Sequence, residues 1–355
     1  MSNDVQFRAV WRIAGSDEPQ TYAKCVADCG AGRRESGRAT WAFRHIAAGP
    51  HPGFYVAGPD GWRRLDDGGS TGEQDLQRQV LGIAIDHTGM LLTSSPGGLR
   101  LWPGGVSVPA PQQSAIFDRR VVAMDVAPTG GRYVLRSPGT IAIVTTEGAL
   151  RAGLGWGVRD GSAEFQWCAT DRRPGTPHGS ALGQFDDPAD LAIDPNGNMY
   201  VVDRGNARIQ RFSRDDERDQ LTWGWGVVDG ADSFQICAAE CMAGLRGDRA
   251  GQFDGAAGVG VDWRGRVFVA DASNHRVQVF DARGDFLFTW GWGVSTGAER
   301  LETCNARCRS GVAGGGDGQL NRPEDVVVVD HERTAYVLDS GNRRIVSFAL
   351  RGASR

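Results

Sequence analysis

The sequence contains a single lysine, Lys24; the rest of its 39 basic residues are arginine, an imbalance read first as coding bias and second as arginine pairing at interfaces. Forty-three acidic residues bring the formal net charge to −4, so no global attraction draws the chain to nucleic acid, whose binding depends on positive charge displacing counterions. No apolar run approaches the roughly twenty residues that a membrane-spanning helix needs. The opening MSNDVQFRAVW has no apolar signal core, so no secretory signal is expected. His-Glu-x-x-His and the phosphate-cradling glycine loop are both missing. The six histidines, His45, His51, His87, His178, His275 and His331, are scattered and form no converging zinc set. In excess is glycine, 51 of 355 residues, which suits a chain with many tight turns.

Self-similarity dominates what is present. Trp-Gly-Trp-Gly-Val at 223–227 and 290–294, and Gly-Trp-Gly-Val at 155–158, each lead through a cysteine-bearing stretch to Gly183, Gly251 and Gly318, which are 68 and 67 residues apart. After each of these glycines the apolar pattern is that of strands. LAIDPNGNMYVVD (191–203) holds two runs around an Asn-Gly hairpin turn, and ARIQRF (207–212) adds a third. GVGVDWRGRVFVAD with HRVQVF, and DVVVVDHERTAYVLD with RRIVSF, repeat it. A fourth strand such as DFLFTW (285–290) completes a four-stranded antiparallel unit, the blade of a β-propeller. Weaker copies at 41–65, 81–102 and 121–146 raise the number to six.

The expected fold is therefore all-β: one six-bladed β-propeller domain over 1–355, with four-stranded antiparallel blades at about 39–67, 79–110, 119–154, 187–224, 255–291 and 322–350. The last unit stops after three strands, and VQFRAVWRI (5–13) supplies the missing fourth, closing the last blade and removing free sheet edges within the ring. Long inserts lie at 14–38, 155–185, 223–253 and 290–320.

GQFDDPADLAIDPNGNMYVVDRGNARIQRF and its two copies resemble the NHL repeat, sharing Asp-x-x-Asn-x-Arg as Asp203, Asn206, Arg208; Asp271, Asn274, Arg276; and Asp339, Asn342, Arg344. The match covers about 150–355; the first three blades carry Pro59-Asp60-Gly61, Pro96-Gly97-Gly98 and Pro138-Gly139 instead. The resemblance implies a six-bladed propeller, and the inserts resemble those of bacterial, often exported, NHL proteins. In the motif, Asp and Arg face each other across a loop as a structural salt bridge, and Asn206 is of a type that tolerates a left-handed turn.

Six of the seven cysteines form pairs four apart: Cys25/Cys29, Cys237/Cys241 and Cys304/Cys308, while Cys168 has Arg172 four residues on. That separation in a turn puts the Cα atoms about 6 Å apart, within disulfide range. Disulfides are expected ahead of free thiols or zinc, since structural zinc needs four ligands at once. Cys25, Cys29, Cys237, Cys241, Cys304 and Cys308 are thus expected to form three bridges. Oxidised pairs without a visible signal imply an extracellular or oxidising location reached by non-classical export.

Blade topology puts the second-to-third loops and the inserts on one face. Arg204, Asn206, Asn274, His275, Asn342 and Arg343 are the candidate binding residues there, since loops on a rigid scaffold commonly carry recognition. Asp125, Asp190 and Asp325 precede similar first strands and are the candidate metal ligands, for calcium if any. No catalytic residue is assigned. The expected function is a non-enzymatic platform binding a protein or glycan. The alternatives are a calcium-dependent lactonase- or esterase-like hydrolase, and a structural part of a larger, phage-tail-like assembly. RNA is less favoured, because the inserts mix signs, as at Asp171 beside Arg172 and Arg173.

Overall fold

The structure is a computed structural model and describes residues 5–14, 21–25, 43–48, 53–59, 61–66, 69–75, 79–86, 88–95, 98–102, 108–109, 121–145, 149–169, 178–329 and 333–350. Six antiparallel sheets make the chain an all-β six-bladed propeller. Its described residues group into two compact units, one drawn from Met1–Arg78, Asp248–Ala250 and Asp254–Arg355, the other from Gln79–Gly247 and Gly251–Phe253.

The second of these units holds blades two, three and four. Blade two is Gly82–Ile85, Leu91–Ser95, Gly98–Trp102 and the short Val108–Pro109. Blade three is Val121–Val126, Arg132–Arg136, Thr140–Val144, Leu150–Trp156 and Phe165–Cys168. Blade four is Pro188–Ile193, Met199–Asp203, Arg208–Phe212, Gln220–Trp225 and Phe234–Cys237. The middle strands of blades three and four are buried almost throughout rather than at alternate residues, Arg132–Arg136, Thr140–Val144 and Met199–Asp203 completely so. Leu135, Ile141 and Leu154 of blade three accordingly share one core with Leu191, Met199 and Val201 of blade four.

The first unit holds blades five, six and one. Blade five is Ala256–Val261, Val267–Asp271, Arg276–Phe280, Phe286–Trp292 and Leu301–Cys304. Blade six joins Pro323–Val329, Thr334–Asp339 and Arg344–Leu350 to Val5–Ala14 and Thr21–Cys25. Val10 stands opposite Val346, so the N-terminal strand closes the last blade as its sequence implies. Blade one is His45–Ala48, Phe54–Gly58, Gly61–Asp66 and Gly69–Asp75. The last of these strands lies beyond 67, where the sequence reading ended the blade; GSTGEQD has no apolar alternation to announce it. Trp290 of blade five packs against Phe348 of blade six with ring centroids 5.7 Å apart. The innermost strands of these two blades approach so closely that a Cβ on Gly258 would lie 2.5 Å from the Asp325 Cα.

Blades three, four, five and six each gain a fifth strand that the four-stranded expectation did not contain, Thr21–Cys25 in blade six. The insert after each blade opens as a hairpin on the fourth strand, pairing Trp156 with Phe165, Trp225 with Phe234, and Trp292 with Leu301. Gly157, Gly226 and Gly293 turn the chain at φ of 66°, 71° and 70°, a region that favours glycine.

Candidate functional site: the motif loops and the inserts they grip

Each Asp-x-x-Asn-x-Arg loop closes around a fully buried ion pair. Arg208 Nε donates to Asp203 Oδ2 at 2.8 Å, Arg276 to Asp271 at 2.9 Å, and Arg344 to Asp339 at 2.8 Å, with no side-chain exposure on either partner. The asparagine stands inside the same cage: Asn206, Asn274 and Asn342 each donate from Nδ2 to the aspartate, at 2.9, 2.9 and 2.8 Å. A main-chain N–H from the segment leading into the blade (Asp186, Asp254 or Asn321) caps the other carboxylate oxygen. Burial pushes the carboxyls of Asp203, Asp271 and Asp339 up, the last to about 6, against the pull of the guanidinium beside each.

The rest of the guanidinium grips the inserts. Arg208 uses all five donors: Nε on Asp203, Nη1 on the carbonyls of Ser180 and Met242, and Nη2 on those of Ala181 and Gln184. Arg276 holds the carbonyls of Asp248, Arg249 and Arg309. Arg344 holds those of Gly315, Gly316 and Gln319. Arg208 and Arg276 thus each bind the insert that enters their blade and the insert that leaves it. The asparagine reinforces this, since Asn206 and Asn342 also donate to the carbonyls of Gly179 and Gly314. Gly244 and Gly311 let the leaving inserts return against the motif loop, where an added Cβ would lie 2.6 Å from the Ala207 carbonyl oxygen and 2.5 Å from that of His275.

Two members of the cage escaped the sequence reading. Gln210 and Gln278, two residues beyond the arginine, donate to Asp203 and Asp271 at 2.9 and 3.0 Å. Their common offset was visible in the repeat, but blade six has Val346 there, which hid the pattern.

The candidate binding residues fall in two groups. Asn206, Asn274 and Asn342 are buried. Arg204, His275 and Arg343 are partly exposed, although they are not equivalent positions: Arg204 is second in its loop, the other two fifth. Arg204 makes a two-pronged pair with Asp187, Nε to Oδ2 at 2.9 Å and Nη2 to Oδ1 at 3.0 Å. His275 Nδ1 accepts from the Arg322 N–H at 3.1 Å, and burial together with Arg322 holds its pKa below that of ordinary histidine. The left-handed turn is made not by Asn206 but by the residue after it: Ala207, His275 and Arg343 have φ of 48°, 51° and 54°. The asparagine must face inward to reach the aspartate, so the backbone reverses one residue later.

Of the three candidate metal ligands, Asp125 and Asp325 are accounted for by main-chain donors. Asp125 accepts the N–H of Val126 and, across to blade four, that of Ile193 at 2.7 Å. Asp325 accepts the N–H of Val326 and, across to blade one, that of Ile46 at 2.8 Å. Burial pushes Asp125 up to about 6, with both N–H donors opposing. Register also separates the three residues that the sequence grouped. Asp190 and Asp325 follow a strand bulge directly, opposite Val202 and Leu338, whereas Asp125 lies two residues further on, opposite Tyr133. Among the described residues no three His, Cys, Asp or Glu side chains gather as a metal-ligand set. His45 is half-buried, and desolvation together with Arg44 lowers its pKa to about 4, His178 stands 3.4 Å from Asp186, and His51, His87 and His331 lie outside the described residues.

Two of the three expected disulfides are present, Cys237–Cys241 and Cys304–Cys308, with Cα atoms 5.8 and 5.6 Å apart. Cys29 lies outside the described residues, so the described residues hold two bridges where the sequence reading has three. Cys25 ends the outermost strand of blade six, opposite Val10, and Cys168 is buried. A polar clasp closes each insert turn. Gln166 Oε1 accepts the N–H of Arg159 while its Nε2 donates to Asp160, and Gln235 does the same with Val228 and Asp229. In the last insert the polarity is exchanged: Glu302 accepts from the N–H of Ser295 and Thr296 and from the Thr296 hydroxyl.

Comparison with known proteins agrees with this architecture. The family described as NHL repeat matches residues 185–212 and 253–280. NHL repeat-containing protein 3 of Mus musculus is 31% identical over 121 residues, covering 33% of this chain and 30% of its own, so the match spans less than a third of that relative. Among solved structures, an auxiliary nutrient binding protein from Bacteroides ovatus aligns with 98% of this chain and 78% of its own at a TM-score of 0.56 and 14% identity. A calcium-binding protein, regucalcin, from Agrobacterium tumefaciens aligns with 89% of this chain and 92% of its own at 0.51 and 12% identity. At such identities the structural likeness speaks for the fold alone. Taken with the repeated Asp-x-x-Asn-x-Arg cages, these matches identify the chain as an NHL-repeat six-bladed β-propeller.

Proposed function

We propose that the chain is a non-enzymatic binding platform, presenting the insert face of an NHL-type propeller to a protein or glycan. The supporting observation is the way the inserts are held. Buried arginines grip main-chain carbonyls and two disulfides staple the loops, so the insert side chains are left to face outward on a rigid frame. Arg204, His275 and Arg343, half-exposed beside the inserts, are the proposed contacts, and the buried asparagines hold the frame. The two bridges are consistent with an oxidising environment, and no helix among the described residues is long and apolar enough to cross a membrane.

The test is capture on arrays of purified proteins and of glycans, comparing wild type with the double variant Arg204→Ala/Arg343→Ala. Binding of one class that drops in the variant is expected. Equal capture by both proteins, or none by either, counts against the platform.

A further inference from the structure

The inserts at 223–253 and 290–320 share one backbone. Met242 and Arg309 donate to the carbonyls of Val227 and Val294 at 2.9 and 3.0 Å. Leu245 and Val312 donate to those of Trp225 and Trp292 at 2.7 and 2.8 Å, and Gly244 and Gly311 to those of Asn206 and Asn274. Position by position, therefore, Val228, Met242 and Leu245 of the first insert match Ser295, Arg309 and Val312 of the second.

Their surfaces differ in kind. Val228, Met242 and Leu245 are 43, 40 and 41% exposed, three of the five exposed large apolar residues among those described. They flank one turn: a Cβ on Gly226 would lie 3.1 Å from Leu245 Cγ, and one on Gly230 would lie 3.8 Å from Met242 Sδ. The sister loop places Arg309 over Gly297 in the corresponding way. Residues 228–245 contain Asp229, Asp232 and Glu240, all exposed, and no lysine or arginine. Residues 295–312 contain Glu299 and Glu302 against Arg300, Arg307 and Arg309. Gln235 Nε2 and the Ala231 N–H keep Asp229 ionised, and Arg246 turns its Nη2 back to the carbonyls of Arg204 and Gly205. The fold holds Ser295 and Arg309 on the same backbone in the sister insert and keeps an exposed apolar residue there only at Val312, so it does not demand the apolar, acidic set of the first. An exposed apolar cluster that folding does not require marks an interaction site, and the charge around it selects the partner's sign.

We propose that residues 228–245 bind a cationic amphipathic segment of a partner protein, with Val228, Met242 and Leu245 receiving its apolar side chains and Asp229, Asp232 and Glu240 its lysines or arginines. The adaptable Met242 side chain suits such a site. This rests on the platform reading and names its partner class.

The test uses the full chain and three labelled model peptides read by fluorescence anisotropy: leucines and lysines on opposite helix faces, the same with glutamate for lysine, and the same with serine for leucine. Wild type should bind the leucine–lysine peptide at least tenfold tighter than either control, and more weakly as salt rises. The variant Val228→Ser/Met242→Arg takes residues that the sister insert already carries and should lose most of that binding; Met242→Arg alone replaces it if the double variant misfolds. Equal affinity for the leucine–glutamate peptide overturns the proposal, as does undiminished binding by the variants. Sedimentation of the chain alone supplies a further arm: concentration-dependent association that Val228→Ser/Met242→Arg abolishes makes a second copy the occupant and also overturns it. Peptide discrimination that fails while array capture remains sensitive to Arg204 and Arg343 would sink this inference and leave the platform standing.

Discussion

Blades four to six and blades one to three solve the same local problem in different ways. In blades four, five and six the second strand reaches the third through a four-residue loop between Asp203 and Arg208, Asp271 and Arg276, or Asp339 and Arg344. In blades one and two the strands are joined at Gly58 and Gly61, and at Ser95 and Gly98, with two residues between; in blade three they are joined between Arg136 and Thr140. A hairpin closes well with the shorter turn. The buried ion pair is therefore not what closing a blade requires. Its donors are spent on insert carbonyls, and the longer loop is best understood as an anchor for a neighbouring segment.

Equivalent positions put that difference to its most severe test. By register, Thr140 stands in blade three where Arg208 stands in blade four, and its hydroxyl is buried with no hydrogen-bond partner among the described residues. Arg208→Ala leaves Asp203 buried without its cation and should cost about 3–5 kcal/mol in urea denaturation. Thr140→Val should stay within about 1 kcal/mol of wild type. Similar losses at the two sites would mean that the motif is ordinary blade structure.

The next effect in size separates the two kinds of anchor. Cys237→Ser/Cys241→Ser opens a very small loop and should lower stability by about 2 kcal/mol, less than loss of Arg208, as read by the urea midpoint. A larger loss would make the bridge, not the arginine, the main anchor of that insert.

Asp125 tests a contact that is indifferent to the motif, since it joins blade three to blade four. Its pKa of about 6 in the folded chain exceeds the unfolded value, so the folded state binds the proton more tightly. The associated stability is complete below about pH 4 and is lost as pH rises through the folded pKa of about 6. Asp125→Asn should remove this part of the pH dependence, at a cost of about 1 kcal/mol for the acceptor lost to one of its two N–H donors. Denaturation curves between these pH values that keep the wild-type slope would refute it.

Calcium should do least of all. The Asp125 and Asp325 carboxylates already serve main-chain donors, so we expect no saturable thermal shift between calcium and chelator. A saturable rise that Asp325→Asn abolishes would instead favour the calcium-dependent reading of Asp125, Asp190 and Asp325.

Repetition and apolar patterning made much of the fold legible in the sequence. The six blades, the closing strand at 5–13 and the Asp–Arg pairs could all be read, because each rests on residue type at fixed spacing. The polar strand Gly69–Asp75 could not, since backbone pairing alone forms it. Nor could the left-handed residue: Asn206 has the propensity, but its side chain is committed to Asp203, and Ala207 takes the strained position instead. The offset of Asp125 was hidden because all three strands bulge at the same place and a two-residue shift returns each side chain to the same face, leaving the apolar pattern looking alike. The apolar trio on the first insert was visible in principle. Aligning the two loops residue by residue reveals it, but only once matching hydrogen bonds show which positions correspond.

Arg208, Arg276 and Arg344 hold their inserts by carbonyl oxygens, which every amino acid possesses. Attachment is thus blind to the identity of the residues attached. Apart from the glycines at the close approaches, the outward positions of these loops are open to wholesale rewriting without loss of the frame, much as a typeface changes while the line of print stays fixed. The two sister inserts, apolar and acidic in one case and cationic in the other, already illustrate it, and they mark the propeller as a natural scaffold for randomised loop libraries.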